Sequence, residues 1–207
     1  VEFIRCLSSL NALSTLNLAN NRMNDLGSQT TAAIKVKPEP LYLPQNLKSL
    51  HLQGNEMKGP AFQTLLDRME MDQECGSSAW GNSLENMSLS SNPVTMKAGP
   101  GLCCWMLGRF RTLKSLQVSN MLLKAEGVSA VWTALCYCSS LTSLDLSQNS
   151  IGDDLHYLSN RPLSNLRSLS LSSNGIGTEG AGLLAQKLGG FKMLSCLDLS
   201  GNILQSD

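Results

Sequence analysis

The sequence predicts an α/β solenoid, a horseshoe with a parallel sheet on its concave face and helices on its convex face. Three observations predict it. A template of the form Leu-x-x-Leu-x-Leu-x-x-Asn-x-apolar recurs through the 207 residues, beginning at Leu13, Leu47, Leu84, Leu113, Leu141, Leu166 and Leu194. The stretches between the templates present apolar residues at helical spacing. The composition is that of a repeat rather than of a mixed core, with 38 Leu, 28 Ser and 16 Asn against ten aromatic residues. Successive template starts lie 34, 37, 29, 28, 25 and 28 residues apart, and self-similarity at a near-fixed period marks units that stack on one another.

Within each unit the alternation Leu-x-Leu, as in Leu50-His51-Leu52 or Leu144-Asp145-Leu146, reads as a short strand with leucines inward and the intervening residues outward. The asparagine that follows, at Asn21, Asn55, Asn92, Asn149, Asn174 and Asn202, stands where the chain turns away from the sheet. Backbone groups buried there need partners, and an amide side chain supplies both a donor and an acceptor, so stacked asparagines should form a ladder. The fourth unit departs from the pattern, with Met121 in the ladder position and Asn120 one place early. A local break in the ladder is expected there, with Asn120 pointing outward.

The return segments read as helices at residues 59–71, 101–110, 126–136 and 179–188, where Phe62 and Leu65, Met106 and Leu107, Val131 and Trp132, and Leu183 and Leu184 keep helical spacing. The fifth unit has room only for a turn or a short helix around residues 153–158. Before the first template, Phe3, Ile4, Leu7 and Leu10 fall on one face of a helix belonging to a preceding unit, and after the last the chain reaches Asp207 without a closing helix. Solenoids need polar caps over their terminal cores. The expectation is a single repeat domain over residues 1–207, with about seven repeats, as a fragment of a longer chain.

The template resembles the leucine-rich repeat family, and the 28-residue spacing with helical returns resembles its ribonuclease-inhibitor-like subclass. The resemblance implies a non-catalytic protein-protein interaction scaffold, or a recognition module of a larger protein, with another protein as partner. It also leaves open a GTPase-activating or GTPase-regulating module similar to the Ran GTPase activators, which share this repeat type. Those proteins usually carry an acidic tail and charged loops after the strands. Here the loop positions hold Arg22, Glu56, Asp153, Asp154 and Glu179, no obvious constellation. A third implication is purely architectural, a spacer between domains.

Charge and hydropathy narrow the partners. Sixteen Lys+Arg balance sixteen Asp+Glu, and a chain of zero formal charge lacks the basic excess that nucleic acids and membrane surfaces attract. The longest purely apolar run, residues 102–107, is far short of the ~20 residues of a membrane span. Seven cysteines at irregular spacing, without a secretory signal at the start, read as free thiols in a reducing compartment, and hence as an intracellular, cytoplasmic or nuclear protein.

Two surfaces are candidates for binding. The concave positions carry serine in most units and no Trp, Tyr or Arg, the usual anchors of interfaces. Their larger polar residues are His51, Gln53, Gln117, Asp145 and Asp198. The first two units exceed 28 residues by six and nine, and the extra length falls at residues 35–46 and 72–83, on one edge of the horseshoe. These loops carry Tyr42, Glu74 and Trp80, aromatic and charged groups of the kind that scaffolded loops use in recognition. The alternative is that Tyr42 and Trp80 fold inward and cover the core.

The chemical motifs do not assemble into a catalytic or metal site, and neither cofactor nor small-molecule substrate is expected. Cys103-Cys104 and Cys136-x-Cys138 sit on neighbouring units but are displaced by about a helical turn, without the usual zinc-ligand spacing. Cys196-Leu197-Asp198 resembles the short signature of bacterial leucine-rich-repeat ubiquitin ligases, but lies inside a repeat strand rather than in a separate helical domain. His51 is five units from Cys196, too far at ~5 Å per strand to act as its base. Gly175-Ile176-Gly177 with Gly180 spells G-x-G-x-x-G outside any dinucleotide-binding context, and the glycines read as allowing a turn and close helix packing.

Overall fold

A computed structural model describes residues 7–23, 43–59, 61–63, 65, 83–94, 111–159 and 163–204. Seven strands, β1 (Thr15–Asn17), β2 (Ser49–His51), β3 (Asn86–Ser88), β4 (Ser115–Gln117), β5 (Ser143–Asp145), β6 (Ser168–Ser170) and β7 (Cys196–Asp198), form one open sheet in sequence order. Every neighbouring pair is parallel, and the register stacks Leu16, Leu50, Met87, Leu116, Leu144, Leu169 and Leu197 in one row. The strands begin one residue earlier than the Leu-x-Leu pattern suggests, because the first leucine of that pair is the strand's centre and the second lies just beyond it. That second leucine still joins the cross-strand bonding: Leu52 N donates to Ser88 O at 2.8 Å and Leu146 N to Ser170 O at 3.0 Å.

The inward leucines meet the return segments in one continuous core. Helix α1 (Lys124–Leu135) buries Val128, Val131, Trp132 and Leu135, and α2 (Thr178–Leu188) buries Leu184. Residues 59, 61–63 and 65 are helical, with Phe62 and Leu65 buried, while the helix expected at residues 101–110 lies outside the described residues. The short fifth return is a 3-10 helix, His156–Ser159. Where it leaves less helix to fill the layer, aromatic rings do so: Trp132 packs on Tyr157 at 5.8 Å between centroids and on Phe191 at 5.9 Å, edge to face. At the start, a 3-10 turn covers Leu7–Ser9, and Leu7 is buried. Leu10 does not share that apolar face. It is 48% exposed, because the turn ends before it.

The asparagine ladder is present and is broken where expected. Asn55 Nδ2 donates to Leu18 O and Leu52 O, while its Oδ1 accepts from Asn21 N. Asn92 accepts from Asn55 N and Met57 N, Asn149 from Met121 N and Leu123 N, Asn174 from Asn149 N, and Asn202 from Asn174 N and Ile176 N. Met121, fully buried, has no amide to offer Asn92 N, and Val94 N bonds instead to Met121 O at 3.1 Å. The turn survives the substitution because its shape resides in the flanking residues. Positive φ recurs on both sides of the ladder position, at Gln148 and Ser150 around Asn149, and at Asn120 (52°) and Leu122 (58°) around Met121. Asn120 is exposed, as expected.

The glycine motif has a specific task. Asp153, in the fifth unit, turns its carboxylate onto the N-terminus of α2 in the sixth, where Oδ1 accepts from Gly177 N at 2.6 Å and Gly180 N at 3.0 Å. A Cβ on Gly180 would stand 2.5 Å from that oxygen and 2.9 Å from Ile176 Cγ2. The carboxylate thus occupies the positive end of the helix dipole, the position a phosphate would take in a nucleotide-binding loop.

Candidate functional site: the open face of the sheet

Side chains alternate across the strands, so residues on either side of each central leucine reach the face opposite the helices. Three rows result. The first is hydroxyl-bearing at five of seven places, with Thr15, Ser49, Asn86, Ser115, Ser143, Ser168 and Cys196. The second, in strand register, is Asn17, His51, Ser88, Gln117, Asp145, Ser170 and Asp198. A third row, mostly serine, follows beyond the strands and includes the larger Gln53.

The second row divides by chemistry. In its later half the acids are held by neighbouring serines: Asp145 Oδ1 accepts from Ser147 N at 2.9 Å and Ser147 Oγ at 2.7 Å. Asp198 Oδ1 accepts from Ser200 N at 3.0 Å, and Oδ2 from Ser170 Oγ at 3.3 Å. These bonds, led by the Ser200 backbone N–H, hold the Asp198 carboxyl below the usual carboxylate range. Asp145 and Asp198 are therefore on the face foreseen for them, but with oxygens already bonded within the repeat.

The earlier half holds no carboxylate. His51, half-buried, and Gln117, exposed, stand on either side of Ser88, and neither of the two larger side chains makes a hydrogen bond among the described residues. Ser88 departs from the expected outward serine, being only 2% exposed, because its taller neighbours on β2 and β4 flank it. The result is a cup of about 280 Å³, with Ser88 and Met87 at its floor and Ser49, Asn86 and Ser115 along one rim. Asn86 Nδ2 donates to Ser49 Oγ at 3.1 Å across that rim. Just before the rim residues in sequence, Glu85 bonds Lys114 at 2.7 Å and lies 3.8 Å from Lys48. Lys114 above all holds the Glu85 carboxyl below its ordinary range.

Gln53 is half-buried on the same face, with Oε1 buried and without a hydrogen-bond partner. The loop-edge candidates Tyr42, Glu74 and Trp80 lie outside the described residues, as do Cys103 and Cys104. Asp153 is the α2 cap, which removes it from any charged loop constellation with Arg22, Glu56, Asp154 and Glu179. Among the described residues no cluster of His, Cys, Asp and Glu could hold a metal, and no helix is long and apolar enough to cross a membrane. Sequence reasoning named His51 and Gln117 but missed the cup between them, whose only advance signal was a serine flanked by larger residues in adjacent units.

Seven strands in one register, with an asparagine ladder along one edge and helices behind, make the fold an α/β solenoid of the leucine-rich-repeat type. The family described as Leucine Rich repeat matches residues 137–154 and 163–185, the stretches that contain β5, β6 and most of α2. No curated protein matches the chain. Among solved structures, an internalin from Listeria monocytogenes is similar at 21% identity and a TM-score of 0.46, over 97% of this chain and 58% of that one. The present chain thus spans 58% of that internalin chain's length.

Proposed function

We propose that this chain is a non-catalytic protein-protein interaction module of the ribonuclease-inhibitor-like subclass, and that its partner is another protein bound on the open face of the sheet. The observation that carries the reading is the pair His51 and Gln117, polar side chains held rigidly in register without a hydrogen bond among the described residues. A surface of unspent donors and acceptors on a fixed scaffold suits recognition by hydrogen bonds and shape. The subclass is supported by the 28-residue spacing and by the helical returns α1 and α2. Balanced charge supports a protein rather than a nucleic acid or membrane surface as partner. An intracellular, cytoplasmic or nuclear setting, and a single repeat domain over residues 1–207, belong to the same proposal.

A pull-down with the chain as bait tests it. The expected result is a stoichiometric partner that is lost when His51 and Gln117 are both replaced by Ala. A partner lost only on removal of residues 35–46 and 72–83 would move the site to the loop edge of Tyr42, Glu74 and Trp80. Turnover of a nucleotide by small GTPases mixed with the chain would overturn the non-catalytic reading.

A further inference from the structure

We infer that the free edges of β7 and β1 fit one another, so that a second copy of this chain seats its first unit on the seventh, end to end and in register. The joint leaves the open face of the sheet clear. It therefore goes beyond the reading above, and its failure would leave that reading untouched.

The internal joints share one pattern of bonds. The earlier unit gives two N–H groups from beyond its strand, as Leu171 N gives to Asp198 O at 2.9 Å and Ser173 N to Ser200 O at 2.8 Å. Its ladder asparagine gives a third, Asn174 N to Asn202 Oδ1 at 2.9 Å. The later unit returns Ser195 N and Cys196 N to Arg167 O. At β7 the earlier unit's half of this pattern is open: among the described residues Leu199 N, Gly201 N and Asn202 N have no acceptor and Ser195 O has no donor. At β1 the later unit's half is open: Asn17 O and Asn21 Oδ1 have no donor there, and Ser14 N and Thr15 N no acceptor. Ala19 O takes Asn21 Nδ2 alone, whereas Ser172 O, its equivalent, takes Asn174 Nδ2 and also Gln148 N.

Setting β1 beside β7 in the common register puts Leu16 next to Leu197 and Asn17 next to Asp198, and gives each of these groups its partner. The sheet has two edges, and that of β1 carries the complement. Pairing β7 with a second β7 about a two-fold axis would run the strands antiparallel and turn the two Asn202 residues away from each other, leaving the ladder donor unmet.

The apolar positions match as well. Two residues after the ladder position, Met57, Val94, Leu123, Ile151 and Ile176 are buried, whereas Leu204 is 45% exposed. Three residues before the template, Cys138, Leu163 and Phe191 are buried, whereas Leu10 is 48% exposed. Asn21 is exposed where Asn55, Asn92, Asn149 and Asn174 are buried. Each end thus shows what an adjoining unit covers elsewhere. Neither edge strand contains Pro, Lys or Arg, residues that keep exposed edges from pairing.

A joint between two different surfaces of one chain does not close on itself, so copies should add in series. Sedimentation equilibrium of the 207-residue chain over about a hundredfold range of concentration should give an average mass that rises past twice the monomer without levelling off. Leu204→Lys puts a charge into the joint from the β7 side, and Leu10→Lys with Asn21→Ala puts in a charge and removes an acceptor from the β1 side. All three positions are exposed, so urea midpoints should stay close to that of the parent chain. Each variant alone should be monomeric, and an equal mixture should give a dimer and nothing larger, since each brings one intact edge. A parent chain that is monomeric throughout, or whose mass levels off at twice the monomer, would overturn the inference. So would a mixture that stays monomeric, or association that survives in either variant: retained only by the β1-side variant, it would mean that β7 pairs with itself.

Discussion

Asn149 concentrates more bonding than any inward leucine could. Its amide donates to Val118 O, Leu146 O and Ser147 O and accepts from Met121 N and Leu123 N. Replacing it by Ala leaves buried backbone groups of two units without partners. Asn149→Ala is expected to cost about 3 kcal/mol in urea unfolding, and Asn202→Ala, at a part-buried site, about 1 kcal/mol. Leu122 carries strain of the opposite kind, an exposed branched side chain at φ 58°. Leu122→Asn should stabilise the chain by about 1 kcal/mol in the same measurement, since Asn visits this region readily. The thiols differ as sharply. Burial pushes the Cys138 thiol up to about 11, with a smaller contribution from neighbouring Cys136, whereas Cys196 is exposed on the edge strand. At pH 8 about a thousandth of Cys138 is thiolate. In variants whose single remaining cysteine is one of these two, an aromatic disulfide reagent should modify Cys196 at once and Cys138 only on unfolding.

At the scale of elements, the bond that joins units five and six is the one most open to mutation. Asp153→Ala removes the cap of α2 and should cost about 1 kcal/mol, with faster hydrogen exchange at the Gly177 and Gly180 amides. Gly180→Ala should cost more, because the added carbon meets Asp153 Oδ1 and Ile176 Cγ2 at once. If neither change altered amide exchange in α2, the cap would be structurally idle. This cap marks the border of what a sequence can reveal. Strands, ladder and the break at Met121 are readable because their determinants recur at the same place in every unit. The Asp153 contact is made once, between residues 24 and 27 positions apart, and no template announces it. The packing of Trp132 on Tyr157 and Phe191 is likewise particular to one short unit. Ser88 illustrates the same limit on the open face: its own position predicts exposure, and only the heights of His51 and Gln117 bury it. Leu10 leaves the apolar face that helical spacing assigns to it, because spacing alone does not say where a turn ends.

For the whole molecule, two carboxylates on the described surface contribute to the acid limb of stability. Lys114 lowers the Glu85 carboxyl, and the Ser200 backbone N–H lowers that of Asp198. Both folded values lie below the unfolded ones, so their contribution is complete above the unfolded carboxylate range and disappears as pH falls through the folded values. Urea midpoints should therefore be flat near neutrality and drop below about pH 4. Lys114→Ala should shrink the part of that drop due to Glu85, and an unchanged acid limb in that variant would discount the pair. Because each unit contacts only its neighbours, such losses should remain local to the units concerned.

The missing amide at Met121 has a mechanical side. A coil of like turns shares an applied load evenly, and one turn with fewer cross-links does not. Between Asn92 and Met121 the ladder yields a bond, so bending of the coil should gather between β3 and β4. That compliant seam runs beneath the space between His51 and Gln117, and a small flexure there would set how far apart the two side chains stand. The width of the cup is then a quantity that load on the coil can tune.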